Sequence, residues 1–428
     1  MDDESQHRLF GLERGRPTQV LQNTAYILGD SGQCFDAAST GNLKTVDGLS
    51  TTGRTISLEN GSYGRRQVID FTRCSYLGLD NHPLIVAGAI EAIQAERSLC
   101  SSGARTHFEV DLLGELEEEL SGMFRARVIC FSSLLLASLE GTRFLGSGQL
   151  TSGRKPIVVF DRTLHDSLAC PKPAVANEAH VETLVHNDID DLERLCRDNP
   201  AVVYVGGDIY SIGAYSRLTE LRRLQERYGL FLHIHDAHGI SIFGRQGEGF
   251  ARSQFPQVLG ERTIIAASLA EGFGASGGLL MFGTRESESL CRRYTAAGSF
   301  SEAPNRAAVG AALGSCKIHR SAELGERQQR LAQRIDFFDR RLATAEQGNS
   351  LPIRTIIIGS EANAVRVARR LLDSGLHTSV TFFPKLGDGM AGLRVFITSE
   401  HEVCDIERLC DGILERIVQT TGKPYPLR

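Results

Sequence analysis

The chain has 428 residues, of which 41% are hydrophobic and 23% charged, with 12 prolines and a formal net charge of −5. That length exceeds what one hydrophobic core usually serves, so a large domain and a smaller one are expected, and the composition excludes a disordered or fibrous chain. With 47 basic and 52 acidic residues and no long block of one sign, nothing marks a nucleic-acid or anionic-membrane surface, and a small-molecule substrate is expected.

The opening MDDESQHRLFGLERGR lacks the apolar stretch of a signal peptide, and no run approaches the ~20 apolar residues that span a bilayer, so a soluble, cytoplasmic protein is expected. Residues 1–66, rich in Gly, Ser, Thr and Asn, read as an N-terminal arm. From residue 67 to 300, short β-branched runs (ARVICFSS, KPIVVFD, AVVYVGG, LFLHIHDAHG, TIIAASL, GGLLMFG) alternate with helical patterns. In DIDDLERLC, Asn187 or Asp188 is placed to cap a helix with Ile189, Leu192 and Leu195 on one face; in RLTELRRLQERYG, Leu218, Leu221 and Leu224 point inward. This alternation predicts βαβ units, hence a large α/β domain with a mainly parallel sheet and ligands beyond the carboxyl ends of its strands. After residue 300 a long helical stretch leads to a second α/β pattern, PIRTIII, ANAVRVARRLLDSG, HTSVTFF, LRVFITS and a helix from His401 to Thr421, the expected small domain over 301–428.

Ten scattered cysteines with no C-x-x-C pair argue against a zinc site or a disulfide framework and read as reduced thiols. The densest ionisable cluster is His233-Ile-His235-Asp236-Ala-His238-Gly239. Alternation puts His233 and His235 on one face, where neutral histidines pack in a core. The H-x-H spacing also suits a metal, but the metallo-hydrolase pattern H-x-H-x-D-H needs its Asp one position after Asp236, so no metal is expected. A third reading makes Asp236 a strand-end acid that keeps a heterocycle nitrogen protonated.

Phe71-Thr-Arg-Cys-Ser-Tyr-Leu-Gly-Leu-Asp-Asn-His-Pro83, His165-Asp-Ser167, His186-Asn-Asp-Ile-Asp-Asp-Leu-Glu193, Tyr210-Ser211, Asp236-Ala-His-Gly239 and Gly274-Ala-Ser-Gly-Gly278 follow one another in an order that resembles the α-oxoamine synthases. These are fold-type I pyridoxal phosphate enzymes such as aminooxononanoate synthase, aminoketobutyrate ligase and serine palmitoyltransferase. The resemblance covers roughly residues 55–425. It implies an aminotransferase-like fold, condensation of an amino acid with an acyl thioester, and a site shared between two subunits. It places His165 on the pyridine face, Asp236 on the ring nitrogen, His238 on the phenolic oxygen, and Ser268 and Ser133 at the phosphate. Arg394 matches a substrate-carboxylate clamp, with Cys74 beside the substrate.

The departures are as informative. Where the family has Thr/Ser-x-x-Lys-x-x-Gly, this chain reads Ser268-Leu-Ala-Glu271-Gly-Phe-Gly274, and none of its six lysines (Lys44, Lys155, Lys172, Lys317, Lys385, Lys423) lies in that context. The family's Ser-Gly-aromatic phosphate turn is Ser133-Leu134-Leu135, an Asn is replaced by Cys74, and a Glu by Gly207. Pyridoxal phosphate is therefore expected only non-covalently or not at all. Three functions stay open. The first is an acyltransferase acting on a coenzyme A or acyl-carrier-protein thioester and an amino-acid-like acceptor, with Glu271 or His165 as general base. The second is a non-catalytic subunit that pairs with a lysine-bearing homologue, as in heterodimeric serine palmitoyltransferase, rather than a homodimer. The third is a conventional pyridoxal phosphate enzyme using another amine.

Overall fold

The computed structural model describes residues 47–60, 64–100, 105, 111–162, 164, 166–207, 216–255, 258–297, 301–381 and 390–425. The lead-in forms regular structure from Asp47 onward: β1 (Asp47–Thr52), β2 (Thr55–Asn60) and β3 (Gly64–Asp70) make an antiparallel meander. Gly53 supplies the φ of +52° at the β1–β2 turn, and Ile56, Leu58 and Val68 gather with Leu372 in a small buried cluster. Composition hides this element because Ser and Thr read as loop formers, while Thr also suits a pleated, half-buried strand.

From Arg127 the strand runs assemble into one sheet. β4 (Arg127–Phe131), β5 (Ile157–Asp161), β6 (His180–Leu184), β7 (Val202–Gly207), β8 (Phe231–Asp236), β9 (Thr263–Ser268) and β10 (Gly278–Phe282) stand in the order β4-β10-β9-β8-β7-β5-β6. The β5–β6, β5–β7, β7–β8 and β8–β9 pairs are parallel, while β10 runs against both β4 and β9. This is the expected α/β architecture with a mainly parallel sheet. β7, β8 and β9 are buried along their whole length, because helices cover both faces, so β7 and β9 read as nearly continuous runs without charge, while β8 (FLHIHD) buries polar side chains as well. Successive residues feed opposite cores: Ile265 and Ala267 join Leu113, Leu192 and Leu221, whereas Ile264 and Ala266 join Ala137, Phe144 and Val175. The helix Ile189–Asp198 buries Ile189, Leu192 and Leu195, capped by Asp188, whose carboxylate accepts from Asp191 N at 3.1 Å. The helix Leu218–Tyr228 buries Leu218, Leu221 and Leu224 as its spacing predicts.

The C-terminal part carries the helices Arg306–His319 and Ala322–Arg341, then β11 (Ile353–Gly359), the helix Glu361–Asp373, β12 (Leu376–His377), β13 (Ser379–Thr381), β14 (Ala391–Phe396) and the helix Val403–Thr421. β11, β14 and β13 form an antiparallel sheet, and β12 pairs in parallel with β3. Its core of Leu331, Phe338, Ile356, Leu371, Leu393, Ile406 and Ile413 also takes in Phe71, Tyr76, Leu77 and Leu79. The segment after β3 therefore lies against the small C-terminal domain although it precedes the large sheet in sequence. Among the described residues, no helix is long and apolar enough to cross a membrane.

Candidate functional site

β4 and β9 both run against β10, and β5, β7, β8 and β9 run together, so all five end on one edge of the sheet. Such an edge is where open α/β sheets bind ligands. Asp236 ends β8 and is fully buried. Its Oδ2 accepts from Ala251 N at 2.9 Å. Two glycines let the loop come this close: a Cβ on Gly239 would lie 2.0 Å from Asp236 Oδ1, and one on Gly249 would lie 2.4 Å from Oδ2. Two residues on, His238 Nδ1 meets the Tyr76 hydroxyl at 2.9 Å.

The other histidines of the cluster belong to the core. His233 Nδ1 is 3.0 Å from Thr142 Oγ1 and His235 Nδ1 is 3.5 Å from Ser138 Oγ. Burial pushes His233 down to about 3, so its ring is neutral. Among the described residues no three His, Cys, Asp or Glu side chains are grouped to hold a metal ion, and no disulfide joins the described cysteines.

Between β9 and β10 a braced turn carries Glu271. Ser268 Oγ accepts from Ala270 N at 3.1 Å, Ala275 N donates to Leu269 O at 2.8 Å, and Leu269 N donates to Gly277 O at 3.0 Å. From behind, Ser315 Oγ donates to Phe273 O at 2.6 Å. Glycine is needed twice: a Cβ on Gly272 would sit 2.6 Å from Ile240 O, and one on Gly274, whose φ is +75°, would sit 2.6 Å from the Leu79 carbonyl carbon. Burial pushes the Glu271 carboxyl above its ordinary 4.5, against the opposing hydrogen bond from Ser268. Its Oε2 is buried and has no hydrogen-bond partner among the described residues.

The segment Cys74–Leu79 closes the other side. Burial pushes the half-buried Cys74 thiol up; the Tyr76 hydroxyl, within hydrogen-bonding reach, and the Arg394 charge oppose this, while the Glu271 charge adds to it. Tyr76 is fully buried. Arg394, on β14, lies over the Phe396 ring at 4.7 Å, and burial pushes its guanidinium down against the stabilising influence of Cys74 and Tyr76.

Of the residues singled out from sequence, Cys74, His238, Ser268, Glu271 and Arg394 thus come together, with Asp236 beneath the loop that carries His238. Ser133 stands on the same sheet edge, but its Oγ caps the helix Leu134–Gly146 by accepting from Leu136 N at 3.2 Å. His165, Tyr210 and Ser211 lie outside the described residues. Tyr76 is the residue that sequence reasoning missed. Its signal was faint: an aromatic hydroxyl two positions after Cys74 in an otherwise apolar Tyr-Leu-Gly-Leu run.

No family model matches the chain. The 8-amino-7-oxononanoate synthase of Salmonella paratyphi B is 29% identical over 359 residues, which covers 81% of this chain and 88% of that enzyme. A Sphingomonas wittichii serine palmitoyltransferase superposes with a TM-score of 0.79 at 19% identity, covering 94% of this chain and all of the other. A lysine-to-alanine variant of the serine palmitoyltransferase of S. paucimobilis, solved with a bound PLP–myriocin aldimine, superposes with a TM-score of 0.77 at 19% identity, over 94% of this chain and 100% of that one. This chain is similar to the α-oxoamine synthases over most of its length. The solved α-oxoamine synthases share its fold, with the large sheet and the smaller C-terminal domain described above.

Proposed function

We propose that this α-oxoamine-synthase-like chain transfers an acyl group from a thioester to a small amino-acid-like acceptor without a lysine-bound cofactor. One observation carries the reading: Glu271 occupies the turn where the family pattern has its lysine, and it lies beside Cys74 and Tyr76. A carboxylate cannot form an imine. Of the lysines, Lys155 pairs with Glu178, Lys172 hydrogen-bonds Thr183, and Lys317 and Lys423 are exposed, while Lys44 and Lys385 lie outside the described residues.

The residues present fit a tethered pyridoxal phosphate poorly. Asp236 and His238 suit a pyridine ring, but Ser133 Oγ is engaged as a helix cap, and Leu134 and Leu135 stand where a phosphate needs close backbone approach. Pyridoxal phosphate enters this proposal only as a non-covalent guest, and the serine palmitoyltransferase variant with its bound aldimine supports that a scaffold of this type can hold one after losing a lysine. When bound, such a group supplies an electron-accepting ring; no step here depends on it. Arg394 would clamp the acceptor's carboxylate through its fork of N–H donors. Glu271, with its raised pKa, or His165 would serve as general base.

Treatment of the purified chain with pyridoxal phosphate and borohydride should leave no pyridoxyl-lysine on peptide mass mapping; one on any lysine overturns the reading in favour of a conventional condensing enzyme. The isolated chain should consume acyl-coenzyme A or acyl-carrier thioesters when amino acids are present, about 10²-fold more slowly after Glu271→Ala or His165→Ala. Equal turnover by all three proteins removes the assignment of the base. Turnover that starts only when a lysine-bearing homologue is added makes this chain a partner subunit.

A further inference from the structure

Three side chains stand in series at the site: the Cys74 thiol within hydrogen-bonding reach of the Tyr76 hydroxyl, and that hydroxyl 2.9 Å from His238 Nδ1. Arg394 and Glu271 flank the thiol with opposite charges. The pocket has therefore exchanged one nucleophile for another, since the amine expected at position 271 is gone and a thiol stands where the related pattern has an amide. We infer that Cys74 is the acyl-carrying nucleophile of this chain, activated through Tyr76 by His238. The inference rests on the acyl-transfer reading above and deepens it.

Four features of the site support it. First, the segment Cys74–Leu79 and the turn Ser268–Gly274 touch backbone to backbone, since a Cβ on Gly274 would overlap Leu79 and Asp80 N. The two pieces of chain that carry Cys74 and Glu271 are thus packed against each other, and the Glu271 charge acts on the thiol. Second, the thiol is half-buried rather than sealed, so a thioester can reach it. Third, burial keeps the resting sulfur protonated, which a relay to a base corrects at the moment of attack. Fourth, Glu271 Oε2 is buried without a hydrogen-bond partner among the described residues, an acceptor that a bound donor would satisfy. An ammonium or amine on the acceptor is such a donor.

The chemistry balances without a redox partner. In the first half, the Cys74 proton passes to Tyr76 as the Tyr76 proton passes to His238 Nδ1. The sulfur bonds to the acyl carbon, the donor's carbon–sulfur bond breaks, and the departing thiolate takes a proton from Tyr76 as His238 returns its own to the Tyr76 oxygen. In the second half, the acceptor nitrogen, held by its carboxylate at Arg394 and deprotonated by Glu271, attacks the acyl carbon. The bond to Cys74 breaks, and the sulfur takes the proton that Glu271 removed from the acceptor nitrogen. The product is an amide, not a new carbon–carbon bond. Cys74, Tyr76 and Glu271 touch reacting atoms and are catalytic residues in this scheme; His238 acts through Tyr76 and is a positioning residue.

The test uses the full chain mixed with acetyl-, octanoyl- and palmitoyl-coenzyme A in the absence of acceptor. The expected result is a burst of one coenzyme A per chain and a matching mass increase that hydroxylamine removes, mapped to the peptide containing Cys74. Tyr76→Phe should slow the burst about a hundredfold, and His238→Gln should shift the pH profile of the burst, which a merely structural role would leave in place. Because the adduct is trapped on the unmodified chain, the test survives a variant that misfolds. Steady thioester consumption with no adduct, or with an adduct on another cysteine, overturns the assignment of Cys74 and leaves the acyl-transfer reading standing. No release of coenzyme A with any donor, with or without amino acids, overturns both.

Discussion

Tyr76 and His238 are hydrogen-bonded side chain to side chain, Oη to Nδ1 at 2.9 Å, across 162 positions of sequence. The bond ties the segment after β3 to the carboxyl end of β8. It thereby joins the core shared with the C-terminal helices to the edge of the large sheet. Tyr76→Phe keeps the ring in its buried slot and deletes the one hydroxyl, so it should destabilise the chain by about 1 kcal/mol. A urea titration should show a lower midpoint with unchanged slope; a changed slope would mean that the two parts had come apart.

The same segment depends on Asp70 at its root. Burial disfavours the Asp70 charge, but hydrogen bonds from His377, Thr72 and Arg73 outweigh it and hold the carboxyl well below its ordinary 3.8. Thr72 N donates at 3.0 Å, Thr72 Oγ1 at 2.7 Å and Arg73 Nε at 2.6 Å. A depressed carboxylate contributes stability that is present above its unfolded pKa and lost as pH falls toward the folded value. Asp70→Asn should therefore cost about 2 kcal/mol at pH 7. The loss should shrink below about pH 4, as the unfolded chain's carboxyl would itself be protonated there. Paired denaturant titrations at the two pH values measure it, and an equal loss at both would mean that the charge is not what matters.

Glu271 has the opposite sign. Burial raises its pKa above 4.5, so the folded chain holds the proton more tightly than the unfolded chain, and stability falls as pH rises from 4.5 through the folded value. Glu271→Gln removes that penalty while keeping the shape. The variant should melt about 1–2 °C higher than the parent at pH 7 and match it near pH 4. A pH-independent gap in a melting series would show that Glu271 is not desolvated.

The fold could be read because strand and helix periods differ and because a doubly covered sheet demands continuous apolar runs such as VVYVGG and TIIAAS. Strand-end logic also picked out Asp236, while Ser268 and Glu271 were legible only against the Thr/Ser-x-x-Lys-x-x-Gly pattern that the chain resembles. Tyr76 escaped because its meaning lies in His238, and no local period encodes a contact that distant. Cys74 was legible only as a departure from a pattern, not as a neighbour of Arg394 and Glu271, which arrive from β14 and from the turn after β9. The lead strands were hidden for a different reason: β1 and β2 take their order from one turn glycine and from the pairing of β1 with β2 and β2 with β3, while their own residues are those of loops.

The turn that presents Glu271 allows strain and overlap to be separated. Gly274 has φ +75°, and a Cβ there would come within 2.6 Å of the Leu79 carbonyl carbon and of its Cβ. Gly153 has a similar φ of +82°, yet a Cβ there would meet nothing within 4 Å. Gly153→Ala should thus cost only the left-handed conformation, about 1 kcal/mol. Gly274→Ala adds displacement of backbone that cannot rotate away, for a total of about 2–3 kcal/mol. Because the displaced backbone is the Cys74–Leu79 segment, Gly274→Ala should also slow coenzyme A release from acyl donors, while Gly153→Ala leaves it unchanged. Equal denaturation midpoints for the two variants would mean that the segment yields without cost, and the two pieces of chain that carry Cys74 and Glu271 would then not be held by packing at this turn.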